Sequence, residues 1–153
     1  MQQKITPSLW FDGNAKAAVE YYVAVFPESS VVSTAYYPAS TDAGLADFQQ
    51  DLAGKELAID FELTGQRFTA INAGPEFPFT EAVSFAIACA DQQEIDYYWE
   101  HLSSVPEAEQ CGWCKDRFGL SWQIVPKNMG ELMQRPNAYA HMMQMKKLVI
   151  ADF

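Results

Sequence analysis

Residues 82–102, AVSFAIACADQQEIDYYWEHL, repeat the opening of the chain, residues 5–26, ITPSLWFDGNAKAAVEYYVAVF. When Tyr97 and Tyr98 are laid on Tyr21 and Tyr22, Ser84 falls on Ser8, Ile95 on Val19 and Asp96 on Glu20. Each copy reads as a short apolar strand, a turn and then a helix. In the first copy Asp12 or Asn14 is the candidate N-cap. Ala15, Ala18, Val19, Tyr22, Val25 and Phe26 then recur at helical spacing until Pro27 ends the run. In the second copy Asp91 is the N-cap. Self-similarity at a fixed offset says more about architecture than any single propensity.

Beyond each helix the repeat leads into strands. SVVSTAYY (30–37) is rich in β-branched and aromatic residues and reads as a strand. The small, polar stretch 38–54 reads as a long loop with a helical turn near Ala46–Asp51. ELAIDFEL (56–63) alternates, with Leu57, Ile59, Phe61 and Leu63 on one face and Glu56, Asp60 and Glu62 on the other. TGQ turns the chain into RFTAIN (67–72), completing a hairpin. In the second copy EQCGWCKD and LSWQIVP form the matching strand pair, joined at RFG. The expected fold is therefore α+β: a first βαβββ module over 1–75 and a second over 76–126, with a helical appendix at 127–153, all in one structural domain. AGPEFPF (73–79) reads as the linker between the halves.

Composition bounds the function. The 153 residues are 49% hydrophobic and 20% charged, enough apolar side chain to build a core. No apolar run reaches the ~18 residues of a membrane span. The opening MQQKITPSLWFDGN has no apolar signal region, so a cytoplasmic protein is expected. The formal charge is -10, with 17 acidic and 4 basic residues in Met1–Cys114 against 3 and 6 in Lys115–Phe153. With only Arg67, Arg117 and Arg135 as arginines and no basic stripe, a nucleic-acid groove is not expected.

The appendix reads as a helical turn, a break at Pro136 and a longer helix. Its stripe, Tyr139, Met142, Val149 and Ile150, is a packing surface for the core or for a second subunit. Three cysteines argue against a disulfide scaffold. Cys111 and Cys114 form a CxxC, but a strand-turn-strand pattern comes after it, so the helix dipole that activates redox thiols is missing. Asp60 and Glu62 are spaced to stand side by side, either for acid/base work or as a solvated sheet face. Lys115, Asp116 and Arg117 shape the hairpin turn or pair at the surface.

Taken together, ITPSLWFDGNAKAAVEYYVAVFP, INAGPEFPFTEAVSFAIACAD, CGWCKDRFGLSWQIVP and MQMKKLVI resemble the PhnB-like branch of the vicinal-oxygen-chelate superfamily, which contains glyoxalase I, bleomycin-resistance proteins and extradiol dioxygenases. The resemblance covers nearly the whole chain. It implies paired βαβββ modules curling into a mixed-sheet cup, in a homodimer. Proteins of this branch are often labelled demethylubiquinone methyltransferase-like, yet no strand-loop-helix glycine motif for a methyl donor is present.

The resemblance also places the metal ligands of metal-using members on the first and last strands of each module. Those positions fall here at Pro7 or Ser8, at Val83 or Ser84, at Gln123, and at Thr69 with Asn72 as the alternative register. None is a histidine or a carboxylate, and His101 and His141 lie on predicted helices. Neither metal nor cofactor is therefore expected. Strand parity puts Ser8, Trp10, Ser84, Ala86, Ala88, Ser121 and Gln123 inside the cup. Val83, Phe85 and Ile87 should pack under the helix, with Leu120, Trp122 and Ile124 also directed outward. Phe79 and Trp113 are wall or lid candidates, and Asp60, Thr69 and Asn72 complete the expected lining. Small uncharged groups among aromatics suit a planar organic ligand. The leading expectation is a metal-free small-molecule-binding protein of the glyoxalase/bleomycin-resistance type. The alternatives are an enzyme of lyase, isomerase or transferase type using Asp60, Gln123 or a substrate group, and a redox-responsive protein using Cys111 and Cys114.

Overall fold

The computed structural model describes residues 3–153, and the chain divides within the AGPEFPF stretch into a unit ending at Pro78 and a unit from Phe79 to Phe153. In the first unit the apolar and β-branched runs become β1 (Ser8–Asp12), β2 (Ser30–Tyr36), β3 (Glu56–Leu63) and β4 (Gln66–Ala73). Their order is β1-β4-β3-β2, with β1 parallel to β4 and the other pairs antiparallel. Helix α1 (Ala15–Val25) packs on this sheet through Ala15, Ala18, Val19, Tyr22 and Val25, the stripe its spacing predicts. Tyr22 stacks on Phe61 at 6.4 Å, and Phe61 on Phe68 at 5.4 Å, forming an aromatic column between helix and sheet.

Two details depart from the sequence reading. Neither Asp12 nor Asn14 caps α1 with its side chain. Asn72 Oδ1 instead accepts the Ala15 amide at 3.2 Å, while its Nδ2 donates to the Glu56 carbonyl at 2.9 Å. Asn72 is 1% exposed and ties β4 to the helix side, so Thr69, and not Asn72, carries the lining register.

The second departure is in β3. Tyr36 pairs with Glu56 while Ala35 pairs with Ala58, which leaves Leu57 as the extra residue of a bulge. The predicted alternation breaks there. Leu57 lines a pocket with Trp10 and Ile71, whereas Glu56 lies 3.8 Å from Lys16 Nζ on α1.

The second unit repeats the plan with β5 (Ser84–Cys89), α2 (Gln92–Leu102), β6 (Trp113–Lys115) and β7 (Ser121–Pro126), in the order β5-β7-β6. Asp91 caps α2 as expected, accepting the Glu94 amide at 2.9 Å. Ile95 and Tyr98 are buried, as are Val19 and Tyr22 at the matching places in α1. Leu120, Trp122 and Ile124 are buried too, but Val83 precedes β5 and is 62% exposed, contrary to the expectation that it packs under the helix.

No counterpart of β2 forms in this unit. A 3-10 turn at Pro106–Ala108 and a single bridge between Gln110 and Trp113 stand in its place. Proline and glutamate are poor strand formers, and residues 103–112 are too few for both a crossing and a full strand.

The appendix forms α3 (Met129–Leu132) and α4 (Ala138–Gln144), split around Pro136. The longer helix predicted through Ile150 stops at Gln144, because the carbonyls of Met145 and Lys146 turn to accept the amides of Cys111 and Gly112 at 2.7 and 2.8 Å. Tyr139 is therefore exposed, while Leu132, Ala138, Leu148 and Phe153 close a core with Met129, Met133, Met142 and Met145. Among the described residues no helix is long and apolar enough to cross a membrane.

Candidate functional site

The first candidate face lies on the sheet of the first unit, opposite α1. Ser8 stands in register with Thr69, Trp10 with Ile71, and Asp60 with Thr69. Of the predicted lining residues, the fold thus brings Ser8, Trp10, Asp60 and Thr69 onto one surface. Its polar end is knit across strands: Asp60 Oδ1 accepts from Thr69 Oγ1 at 2.6 Å, and Oδ2 from Ser33 Oγ at 3.1 Å. Glu62, two residues on, pairs with Arg67 at 3.9 Å. The two carboxylates therefore have separate partners. Ser8 is exposed at the strand start.

The apolar end of this face is a pocket of about 290 Å³. Trp10, Tyr37, Leu57 and Ile71 wall it, Phe48 stands at its edge on the 3-10 turn Asp47–Leu52, and Glu76 supplies a carboxylate. Trp10 is held by its indole N–H, which donates to the Gly74 carbonyl at 2.8 Å, and by Phe77 edge-on at 4.9 Å. Tyr37 donates to the Asn72 carbonyl at 2.6 Å. Burial, and then the charge of Glu76, raise the Tyr37 pKa, so the phenol stays protonated.

Sequence reading finds Trp10 and misses the rest of the pocket. Leu57 changes face only because of the bulge, and Glu76 lies in a segment that reads as a linker. The available signal is Phe48, an aromatic alone in a small polar loop.

The second candidate face belongs to the other unit. Ser84 pairs in register with Ser121, and both Ala86 and Trp113 with Gln123, so Ser84, Trp113, Ser121 and Gln123 share one side of that sheet. Gln123 Nε2 donates to Ser84 Oγ at 2.8 Å. The Ser121 hydroxyl is buried with no hydrogen-bond partner among the described residues. Lys115, also on this side, pairs with Glu81.

Phe79 lies beside the β6–β7 turn, its ring 3.9 Å from where a Cβ on Gly119 would stand. That turn is built around Asp116, 1% exposed, whose Oδ1 accepts the amides of Phe118 at 2.8 Å and Leu120 at 3.1 Å and whose Oδ2 accepts the Trp122 indole at 2.9 Å.

Asp60 on the first face is an anionic donor already engaged by Thr69 and Ser33. Ser8, Thr69, Ser84 and Gln123 offer hydroxyls and one amide, with no anionic or imidazole donor among them. Among the described residues no three His, Cys, Asp or Glu side chains gather where a metal could sit. His101 and His141 lie on α2 and α4.

The CxxC, Cys111 to Cys114, runs into β6. Its two cysteines are unbridged, Cys114 is 2% exposed, and burial pushes its thiol up to about 12. Buried Cys89 is also pushed up to about 12. Gly112 adopts φ +90, and a Cβ there would approach the Leu148 side chain and the Ile124 carbonyl at 3.0 and 3.1 Å, so the Cys111–Gly112 backbone can lie flat against the C-terminal segment.

This architecture is the vicinal-oxygen-chelate fold. The sequence matches the family model described as 3-demethylubiquinone-9 3-methyltransferase over residues 3–125, and the chain belongs to that family. Among solved structures, a putative 3-demethylubiquinone-9 3-methyltransferase, PhnB protein, from Bacillus cereus is 31% identical, with a TM-score of 0.63 over 81% of this chain and 99% of the other. Protein PA1353 from Pseudomonas aeruginosa has a TM-score of 0.59 at 18% identity, over 82% and 98% of the two chains. A mutant of the fosfomycin resistance protein FosX from Listeria monocytogenes, complexed with Mn(II) and a dihydroxypropylphosphonic acid, has a TM-score of 0.51 at 10% identity, over 88% and 100%. The last two similarities speak for the fold alone. No curated protein matches the sequence.

Proposed function

We propose that the chain binds a small, flat organic molecule in the pocket of its first unit, without a divalent metal at the strand positions used by metal-dependent members of the superfamily. The observation that supports this is the pocket between Trp10, Tyr37, Leu57 and Ile71, whose volume of about 290 Å³ approaches the range of ligand sites. Its walls are aromatic and aliphatic, and the indole and phenol that shape it are fixed by hydrogen bonds to backbone carbonyls. Such a wall is preorganised, so little order is lost when a planar molecule slides in.

A thermal-shift screen of aromatic and quinone-like metabolites, run on the native chain and on Leu57→Trp, tests the proposal. The larger indole should fill the pocket, and far-UV circular dichroism of the variant checks that the chain stays folded. Compounds should raise the Tm of the native chain and leave that of Leu57→Trp unchanged. Compounds that stabilise both equally would refute the site.

The family description as a methyltransferase favours a second reading, chemistry on that same ligand. A bound hit incubated with a methyl donor, with mass spectrometry as the readout, distinguishes catalysis from binding. The proposal includes a homodimer in the cytoplasm, which light scattering on the purified chain would read as twice the monomer mass.

A further inference from the structure

The pocket of the first unit carries one formal charge, and it is negative. Glu76 is the only lining side chain charged at neutral pH, and among the described residues no lysine or arginine lines the pocket. Gly74 leaves room for that carboxylate where it stands: a Cβ there would come within 2.7 Å of Oε2 and 2.9 Å of Oε1 of Glu76, so the side chain would have to shift. The carbonyl of the same Gly74 accepts the Trp10 indole N–H. One glycine therefore brings an anion and the largest aromatic wall together at one end of the cavity. The Tyr37 phenol and the Phe48 ring add further π surface around the same space.

From this juxtaposition we infer that the ligand is a flat organic cation, an aromatic molecule bearing a quaternary or protonated amine. Aromatic faces attract cations through their quadrupole, and a carboxylate beside them neutralises the charge. An anionic ligand would meet Glu76 with no counter-charge in the lining. The wider charge distribution of the first unit acts in the same direction, with 10 acidic against 4 basic residues in Met1–Pro78.

This inference rests on the proposed binding pocket, and the experiment separates the two. Naphthylmethyltrimethylammonium, naphthalenemethanol and naphthoate share one ring system and differ in charge. Calorimetric titration of the full chain with each should show the cation binding about tenfold tighter than the alcohol, with naphthoate weakest. Glu76→Gln should reduce cation affinity roughly fivefold and leave the alcohol unchanged, and Gly74→Ala, which displaces the carboxylate, should act in the same direction. High salt should narrow the gap between cation and alcohol. If the alcohol or naphthoate binds as tightly as the cation, or if Glu76→Gln leaves the cation unaffected, the inference fails and the pocket stands. If none of the three binds, the pocket reading falls and takes this inference with it.

Discussion

Asn72 Oδ1 holds the amide of Ala15 at 3.2 Å, so the first turn of α1 is capped from a strand 57 residues further along the chain. The same side chain donates to the Glu56 carbonyl, linking helix, β4 and β3 through one buried amide. Asn72→Ala leaves the buried Ala15 amide and the part-buried Glu56 carbonyl without this partner. It should lower stability by about 2–4 kcal/mol, read from the urea midpoint at constant m-value. A change below about half a kcal/mol would mean that water replaces the amide at no cost.

Asp116 makes a sharper prediction because its carboxylate accepts from the amides of Phe118 and Leu120 and from the Trp122 indole, all N–H donors. In Asp116→Asn one amide orientation faces the Trp122 indole with a donor, and the other faces the amides of Phe118 and Leu120. The variant should lose about 2–4 kcal/mol, and its Trp122 emission should change. Unchanged stability and emission would show that the turn does not depend on this acceptor.

These two residues mark the limit of what the sequence discloses. The helices are legible because Val19 and Tyr22, and Ile95 and Tyr98, lie at matching places in the repeat and are buried in both units. The hairpins are legible from the alternation in ELAIDFEL. Asn72 is misread because its partners, Ala15 and Glu56, are far away in sequence, and a register one residue off reverses a side chain's face. Leu57 is misread because a bulge has no residue signature. The pocket is therefore visible in the sequence as Trp10 alone, while Tyr37, Phe48 and Glu76 join it only through folding.

The thiols predict a pH dependence. Cys89 and Cys114 have folded pKa values pushed up to about 12 from the ordinary 9.0, so the native state retains protons that the unfolded chain releases. Their contribution is complete below about pH 9 and is lost as pH rises towards 12. Thermal unfolding measured from about pH 8 to 11 should show a falling Tm, less steep in Cys114→Ala. At about pH 8 a thiol reagent should leave Cys89 and Cys114 unmodified until denaturant is added. Rapid modification of Cys114 in the native chain would favour the redox reading.

Gly112→Ala tests the docking of the C-terminal segment. The residue sits at φ +90, and its new methyl group would press on Leu148 and on the Ile124 carbonyl. A loss of about 2–4 kcal/mol is expected, with the Met145–Leu148 amides exchanging faster than the α1 amides. Equal protection in both places would show that the segment is held by other contacts.

The most direct test of the central claim is a crystal structure of the chain with a compound from the stabilising panel. Its ring should lie between Trp10, Tyr37 and Leu57, with any amine directed at Glu76. A compound seated elsewhere, leaving that pocket to solvent, would contradict it.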